Sequence, residues 1–396
     1  SYRRMKPMKK ILGLLLALCL IAGCTSAFAA GIPVEQVKIG YITIGDENEG
    51  YSANHLNGLK EAQAALGISD DQVLCKYNVP ETEDAYEAAI DLAEQGCNII
   101  FATSFGHESY VFQAAAEYPN IQFCHATGNS AMNSELTNVH NYFYAVYESR
   151  YVSGVVAGMK LAQMIEDGTI TAENAKIGYV GAFPFAEVIS GFTSFFLGAR
   201  SQCPSVTMEV RYTNSWGDMA LEKETAEALI ADGCVLISQH ADTTGAPSAC
   251  EAAGVPCVGY NISMLPVAPN TALTSAAGDW GAYVTYAVKC LIDGEEIARD
   301  WCKGYAEGAV YTTELNDSIV APGTAEKVAE LEEAFKAGTV KVFDTSTFTV
   351  NGETLTSYTT AYGLEGIEMV SDGEFHESSV RSAPYFDILI DGITAV

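Results

Sequence analysis

The chain has 396 residues and a formal net charge of −29, from 50 acidic against 21 basic side chains. That balance excludes a nucleic-acid partner held through its phosphates, which needs clustered Lys and Arg. With 48% hydrophobic residues the chain is not a disordered acidic tail either, and its length suits two domains of about 100–200 residues each.

The N-terminus reads as a secretory leader. Arg3, Arg4, Lys6, Lys9 and Lys10 precede an apolar run from Ile11 to Ala22, shorter than the roughly 20 residues a membrane-spanning helix needs. Ile21-Ala22-Gly23-Cys24 follows and resembles the lipobox of bacterial lipoproteins. Residues 1–23 are therefore expected to be a lipoprotein signal peptide and Cys24 the lipidated first residue. An ordinary leader cut after Ala27-Phe28-Ala29 also fits the small-x-small rule. Either places the mature protein outside the cytoplasm.

In chain order, Val37 to Ile44 is β-rich, and Ala53 to Leu66 is helical with Ser52 as N-cap and Gly67 past the end. Asp84 to Gln95 is a second helix stopped by Gly96. Asn98 to Ala102 is an apolar strand of the kind buried on both faces. Phe112 to Glu117 and Ile121 to Cys124 give another helix and strand. The pattern then repeats. Ile177 to Val180, a helix near Val188 to Ala199, Thr207 to Tyr212 and a helix from Asp218 to Ala231 come first; Val235 to Ser238, Ala246 to Ala253 and Pro256 to Tyr260 follow. Later, Thr271 to Ala276 is a strand, and Trp280 to Leu291 and Thr324 to Lys336 are helices. Residues 340–396 read as short strands and loops.

The repeat is visible in the residues. Lys38-Ile39-Gly40-Tyr41 recurs as Lys176-Ile177-Gly178-Tyr179, and Gly96-Cys97 as Gly233-Cys234 at nearly the same offset. Alternating strands and helices imply parallel sheets covered on both faces. The expected organisation is a first lobe over 36–147, completed by segments from about 280–396, a second lobe over 148–277, and an extended segment over 340–396 packed on the lobes.

In such sheets a ligand sits beyond the carboxyl ends of the strands. The segments to read are Gly45-Asp46, Ser104-Phe105-Gly106, His125-Ala126-Thr127, Ala182-Phe183-Pro184, Gln239-His240-Ala241-Asp242 and Tyr260-Asn261. There is no phosphate loop, no H-E-x-x-H, no G-x-S-x-G elbow and no strand-linked G-x-G-x-x-G, so neither catalysis nor a cofactor is expected. No C-x-x-C pair or repeated-aspartate cluster points to a metal. Aromatic residues at turns stand out instead: Tyr51, Phe105, Phe183, Phe185, Trp216 and Trp280. A pair from opposite lobes can stack on a flat ligand, worth roughly 1–3 kcal/mol per base. Asp242 and Asn261 then read the ring edge.

Taken together, Gly50-Tyr51-Ser52, Thr103-Ser104-Phe105-Gly106, His125-Ala126-Thr127-Gly128, Tyr151-Val152-Ser153-Gly154, Ala182-Phe183-Pro184, Thr213-Asn214-Ser215-Trp216, Gln239-His240-Ala241-Asp242 and Leu273-Thr274-Ser275 resemble the basic membrane protein family of ABC-importer lipoproteins. The resemblance runs from Val37 to about Gly294. It implies an α/β type I periplasmic-binding-protein fold, two doubly wound parallel-sheet lobes joined by a hinge. It also implies a receptor, not an enzyme, that binds a purine base or nucleoside as a monomer and delivers it to an ABC permease and its ATPase. A sensing receptor coupled to a signalling partner is the alternative. Tyr51 matches the family's first stacking ring and Trp216 the second, where many members have Phe. Ser104, Phe105, His125, Phe183, Asp242, Asn261 and Trp280 complete the expected site. Two departures matter. Asn261 stands where the family has an aspartate, and Ala276 follows Thr274-Ser275 where nucleoside-binding members carry a lysine. If that lysine holds a ribose, its loss favours a free base, with Trp280 filling the space.

Overall fold

The computed structural model describes residues 31–361 and 364–396. The leader and Cys24 lie outside the described residues.

The first sheet contains β1 (Ile39–Ile42), β2 (Val73–Lys76), β3 (Ile99–Ala102), β4 (Gln122–Ala126) and β5 (Val139–Tyr144). Its helices are α1 (Gly50–Leu66), α2 (Glu83–Glu94) and α3 (Glu108–Glu117). The second sheet contains β6 (Lys176–Gly181), β7 (Thr207–Tyr212), β8 (Leu236–His240), β9 (Cys257–Tyr260) and β10 (Ala272–Gly278). Its helices are α4 (Val146–Glu166), α5 (Ala186–Gln202), α6 (Met219–Ala231) and α7 (Gly245–Ala253). After these come α8 (Trp280–Asp293), β11 (Asp300–Lys303), β12 (Val310–Thr312) and α9 (Thr324–Lys336). The short strands β13 (Val370–Ser371), β14 (Glu374–Phe375) and β15 (Ile393–Ala395) end the chain.

Strand order is β11-β5-β4-β3-β1-β2 in one sheet and β12-β10-β9-β8-β6-β7-β15 in the other. Every pairing in these sheets is parallel except β10 with β12. The five strands of each repeat occupy the same order, so the two lobes share one topology. The likeness reaches single residues. Thr127 after β4 and Asn261 after β9 both adopt left-handed backbone, φ 68° and 67°. Their amides donate to matching neighbours, Tyr142 O at 3.1 Å and Ala276 O at 2.9 Å. A β-branched threonine in that conformation is strained and persists only where its surroundings impose it.

Sequence and structure differ at four places. α1 begins earlier than expected, and its cap is Glu49, whose carboxylate accepts from the Tyr51 amide at 2.6 Å and the Ser52 amide at 2.9 Å. β5 and α4 carry no clear pattern in the sequence. All six residues of β5 are buried, and α4 is buried from Val146 to Leu161 on more than one face, so neither shows the one-sided stripe that periodicity detects. α4 packs against α5 at backbone distance: a Cβ on Gly154 would lie 2.0 Å from Phe195 O, and one on Gly198 2.1 Å from Tyr151 O. Finally, the segment from about 280 does not complete the first lobe alone. α8 packs on α1 and β11 pairs with β5, but β12 and β15 extend the second sheet. The free edges of β10 and β7 supply ladder partners that local sequence does not announce.

The 340–396 segment touches both lobes. Ser382 Oγ donates to Asp300 Oδ1 of β11 at 2.6 Å, while Arg200 of α5 donates to Thr347 O at 2.6 Å and Asp391 O at 3.2 Å. Its own aromatic cluster of Phe343, Phe348, Phe375 and Phe386 joins the main core.

Candidate ligand-binding cleft

The carboxyl ends of both sheets face one narrow cavity. The first lobe contributes Ile44, Tyr51, Ser104, Phe105 and Thr127, and the second Glu187, Trp216, His240, Asp242 and Tyr260. The void between them is about 320 Å³, of which about 20 Å³ admits a water-sized sphere. That holds a water and not a ring system, so the lobes stand nearly shut. Contacts between the lobes include Asn54 Nδ2 of α1, which donates to Gly278 O of β10 at 3.0 Å. The Gly50 amide, at the start of α1, donates to Asp242 O at 2.9 Å, and the rings of Phe105 and Phe185 lie 5.3 Å apart.

Five of the nine expected site residues line the cavity: Tyr51, Ser104, Phe105, Trp216 and Asp242. Tyr51 is fixed by its hydroxyl, which donates to Thr103 O at 2.6 Å, and by edge contacts to His55 and Trp280. Trp216 packs edge-on against Phe183 at 5.1 Å. The other four stand behind this wall. His125 donates from Nε2 to Ser104 O at 2.6 Å and so holds the strand end. Phe183 stacks on Phe185 at 5.1 Å and backs Trp216. Asn261 donates from Nδ2 to Asp242 Oδ1 at 2.9 Å, so it reaches the cavity only through that carboxyl. Trp280 does not line the cavity. It is 1% exposed, stacked on His55 at 3.9 Å beneath Tyr51, because α8 packs on α1 and carries its first residue into the core.

Glu187 and Ile44 were not expected in the site, whereas His240, Tyr260 and Thr127 lie in the strand-end segments read above without being among the nine. His240, Tyr260 and Thr127 end strands, a position that marks them as candidates. Glu187 gave no such sign, since a glutamate in the first turn of a helix is ordinary dipole chemistry.

The cleft is rich in desolvated acids. Burial pushes Glu187 up to about 7 against the pull of Arg150, and pushes Glu222 up to about 7 while both its oxygens accept from the Thr243 amide. Asp242 is driven well above the carboxylate range, first by burial and then by the charges of Glu49, Glu222 and Glu187. The histidines move the other way: burial holds His55, His125 and His240 below their usual range, so they are neutral near pH 7. Arg150 of α4 is a buried cation under the floor. It donates to Gln239 O at 2.6 Å and lies 3.7 Å from the centre of the Tyr260 ring. Among the described residues no group of three or more His, Cys, Asp or Glu is placed to hold a metal ion, and no helix is long and apolar enough to cross a membrane.

A narrow slot between two lobes, walled by rings and acceptors, suits reversible capture of a small ligand. Comparisons with known proteins agree. The chain is 33% identical over 311 residues to a purine-binding protein of Brucella abortus, covering 78% of this chain and 83% of that one. It is 29% identical over 336 residues to a Haloferax volcanii protein named as an ABC transporter glucose-binding protein, covering 84% and 81%. An ABC transporter solute-binding protein from Aeropyrum pernix shares the fold with a TM-score of 0.65 at 18% identity, covering 78% of this chain and 93% of that one. The fold also matches a transcriptional activator of the comK gene from Bacillus halodurans, with a TM-score of 0.61 at 20% identity, covering 76% and 97%. The family described as ABC transporter substrate-binding protein, PnrA-like, matches residues 41–342. Such proteins bind small molecules for a permease and its ATPase and are not enzymes. This chain therefore belongs to the PnrA-like substrate-binding proteins of ABC transporters.

Proposed function

We propose that this protein captures a purine base or nucleoside between Tyr51 and Trp216 and hands it to an ABC permease. The observation that carries the reading is the cavity itself, lined by those two rings from opposite lobes and by Asp242. A purine-binding relative supports the same ligand class. A free base suits the site better than a nucleoside. Ala276 stands where nucleoside-binding members carry a lysine, so no cation is supplied there for a ribose. Ligand favours the closed lobes only by its difference in affinity for closed and open forms, and the closed form is what the permease receives. The protein works as a monomer outside the cytoplasm, lipid-anchored through Cys24. Replacing Cys24 with Ala should release it from membranes in a fractionation assay; continued retention argues for another tether.

A sugar is the second reading, favoured by the glucose-binding name of one relative and by acceptors that suit hydroxyl groups. Thermal unfolding of the chain from Thr25 onward, against bases, nucleosides, sugars and amino acids, separates the two. A ligand at 100 times its dissociation constant adds about 2.7 kcal/mol. A shift with purines alone supports the reading; a shift with glucose and no purine replaces it.

A further inference from the structure

Glu187 stands in the cavity wall with half of its hydrogen bonds unmade. One carboxylate oxygen lies 3.4 Å from Nε2 of His240, and the other takes no hydrogen bond among the described residues. His240 is buried, its ring 4.7 Å from that of Tyr260, and a Cβ on Gly191 would come within 2.5 Å of its Nδ1. A neutral ring held in this way meets Glu187 through Nε2, as donor to the ionised carboxylate or as acceptor from the protonated one. Arg150 donates from Nη1 to Gln239 O and lies over the face of Tyr260, and among the described residues its Nε and Nη2 have no hydrogen-bond partner. The other charged or titratable groups near Glu187 are Glu81 and Tyr51 from the first lobe, Tyr144, and Asp242 and Tyr260 from the second. Asp242 lines the same cavity, and among the described residues its second oxygen also takes no hydrogen bond. The wall thus presents two carboxylates, with the buried hydroxyls of Tyr260 and Thr127 beside them.

We propose that Glu187, positioned by His240, selects among purines, and that the site takes purines carrying an amino group on the edge it faces in preference to 6-oxopurines. The proposal rests on the purine reading of the cleft. Adenine and hypoxanthine have nearly the same outline, so shape does not separate them. Their edges do. An amino N–H satisfies a desolvated carboxylate, and hydrogen bonds to charged groups are the strong ones. A carbonyl oxygen in the same place sets acceptor against acceptor, and Glu187 must then bind a proton. Because burial holds that group near 7, the two ligand types respond oppositely to pH. Amino-bearing purines bind the ionised form and tighten as pH rises through about 7; hypoxanthine binds the protonated form and weakens.

The test is calorimetry with purine, adenine, 2-aminopurine and hypoxanthine at pH 5.5 and pH 8. At pH 8 an aminopurine should bind at least about tenfold more tightly than hypoxanthine, and the gap should narrow at pH 5.5. Glu187→Gln, which both donates and accepts, should abolish the gap and its pH dependence. His240→Leu should shift the midpoint of the pH profile and His240→Gln restore it. The wild-type pH comparison stands even if a variant fails to fold. Equal binding of adenine and hypoxanthine at pH 8, or an unchanged gap in Glu187→Gln, overturns the proposal while leaving the purine reading intact. Binding of no purine overturns both.

Discussion

Replacing Gly50 with Ala should weaken ligand binding without weakening the fold. Gly50 opens α1, and its amide donates to Asp242 O across the cleft at 2.9 Å. A Cβ there would lie 2.8 Å from that same oxygen, with Ile262 side-chain carbons at 3.5 and 3.7 Å. Both groups at the short contact are backbone, so the lobes must part by a few tenths of an ångström. The closed state then loses a hydrogen bond of about 1 kcal/mol and gains some strain. In the open state the contact does not exist, and Ala is at least as good as Gly in a helix. A closed state disfavoured by about 1–2 kcal/mol lowers apparent affinity roughly 5–30-fold. Calorimetry with the ligand chosen by the thermal screen measures the loss, and urea unfolding of the unliganded protein measures the fold. Wild-type affinity in Gly50→Ala refutes the closure argument. So does a loss of unliganded stability as large as the loss of affinity, because the effect would then not belong to closure.

Further expectations follow from the same geometry. Trp216→Ala should weaken purine binding by about 1–3 kcal/mol in calorimetry while Trp216→Phe keeps most of it, since a ring face and not the indole N–H does the stacking. Gly154→Ala should lower the urea midpoint by the equivalent of about 1–3 kcal/mol or more, because its Cβ would sit 2.0 Å from Phe195 O between two close-packed helices. An unchanged midpoint would mean that α4 and α5 can separate freely. Glu222→Gln should stabilise the protein at pH 8. Its carboxyl is held up to about 7, above the ordinary value of 4.5, so its contribution is present below about 4.5 and lost as pH rises to about 7. At about 1.4 kcal/mol per unit the gain at pH 8 is at most about 3.5 kcal/mol, and it should vanish toward pH 4.5.

Much of this architecture was legible from local pattern. The strand–helix alternation, the duplicated Lys-Ile-Gly-Tyr and Gly-Cys segments, and the strand ends that meet at the cleft all arise within short windows, where burial on two faces or one leaves a period in the residues. Ser104, Phe105 and Asp242 were readable because they follow strand ends, and Tyr51 and Trp216 because they are aromatic residues beside turns at positions that match the family's stacking rings. Elements buried on every side, such as β5 and α4, leave no period and were not readable.

What only the tertiary structure decided is which side chains reach the cavity and which hold those that do. Trp280 and Asn261 look like ligand groups in sequence, yet one is packed under Tyr51 and the other is bonded to Asp242. Glu187 looks like a helix-start charge, yet the fold sets it beside His240 in a desolvated wall. The same holds for β12 and β15, whose places depend on open edges of a distant sheet. These outcomes depend on contacts between residues far apart in the chain. Propensity and periodicity act over a turn or a strand, whereas desolvation, ring packing and edge pairing are set by whatever neighbour the finished fold brings near.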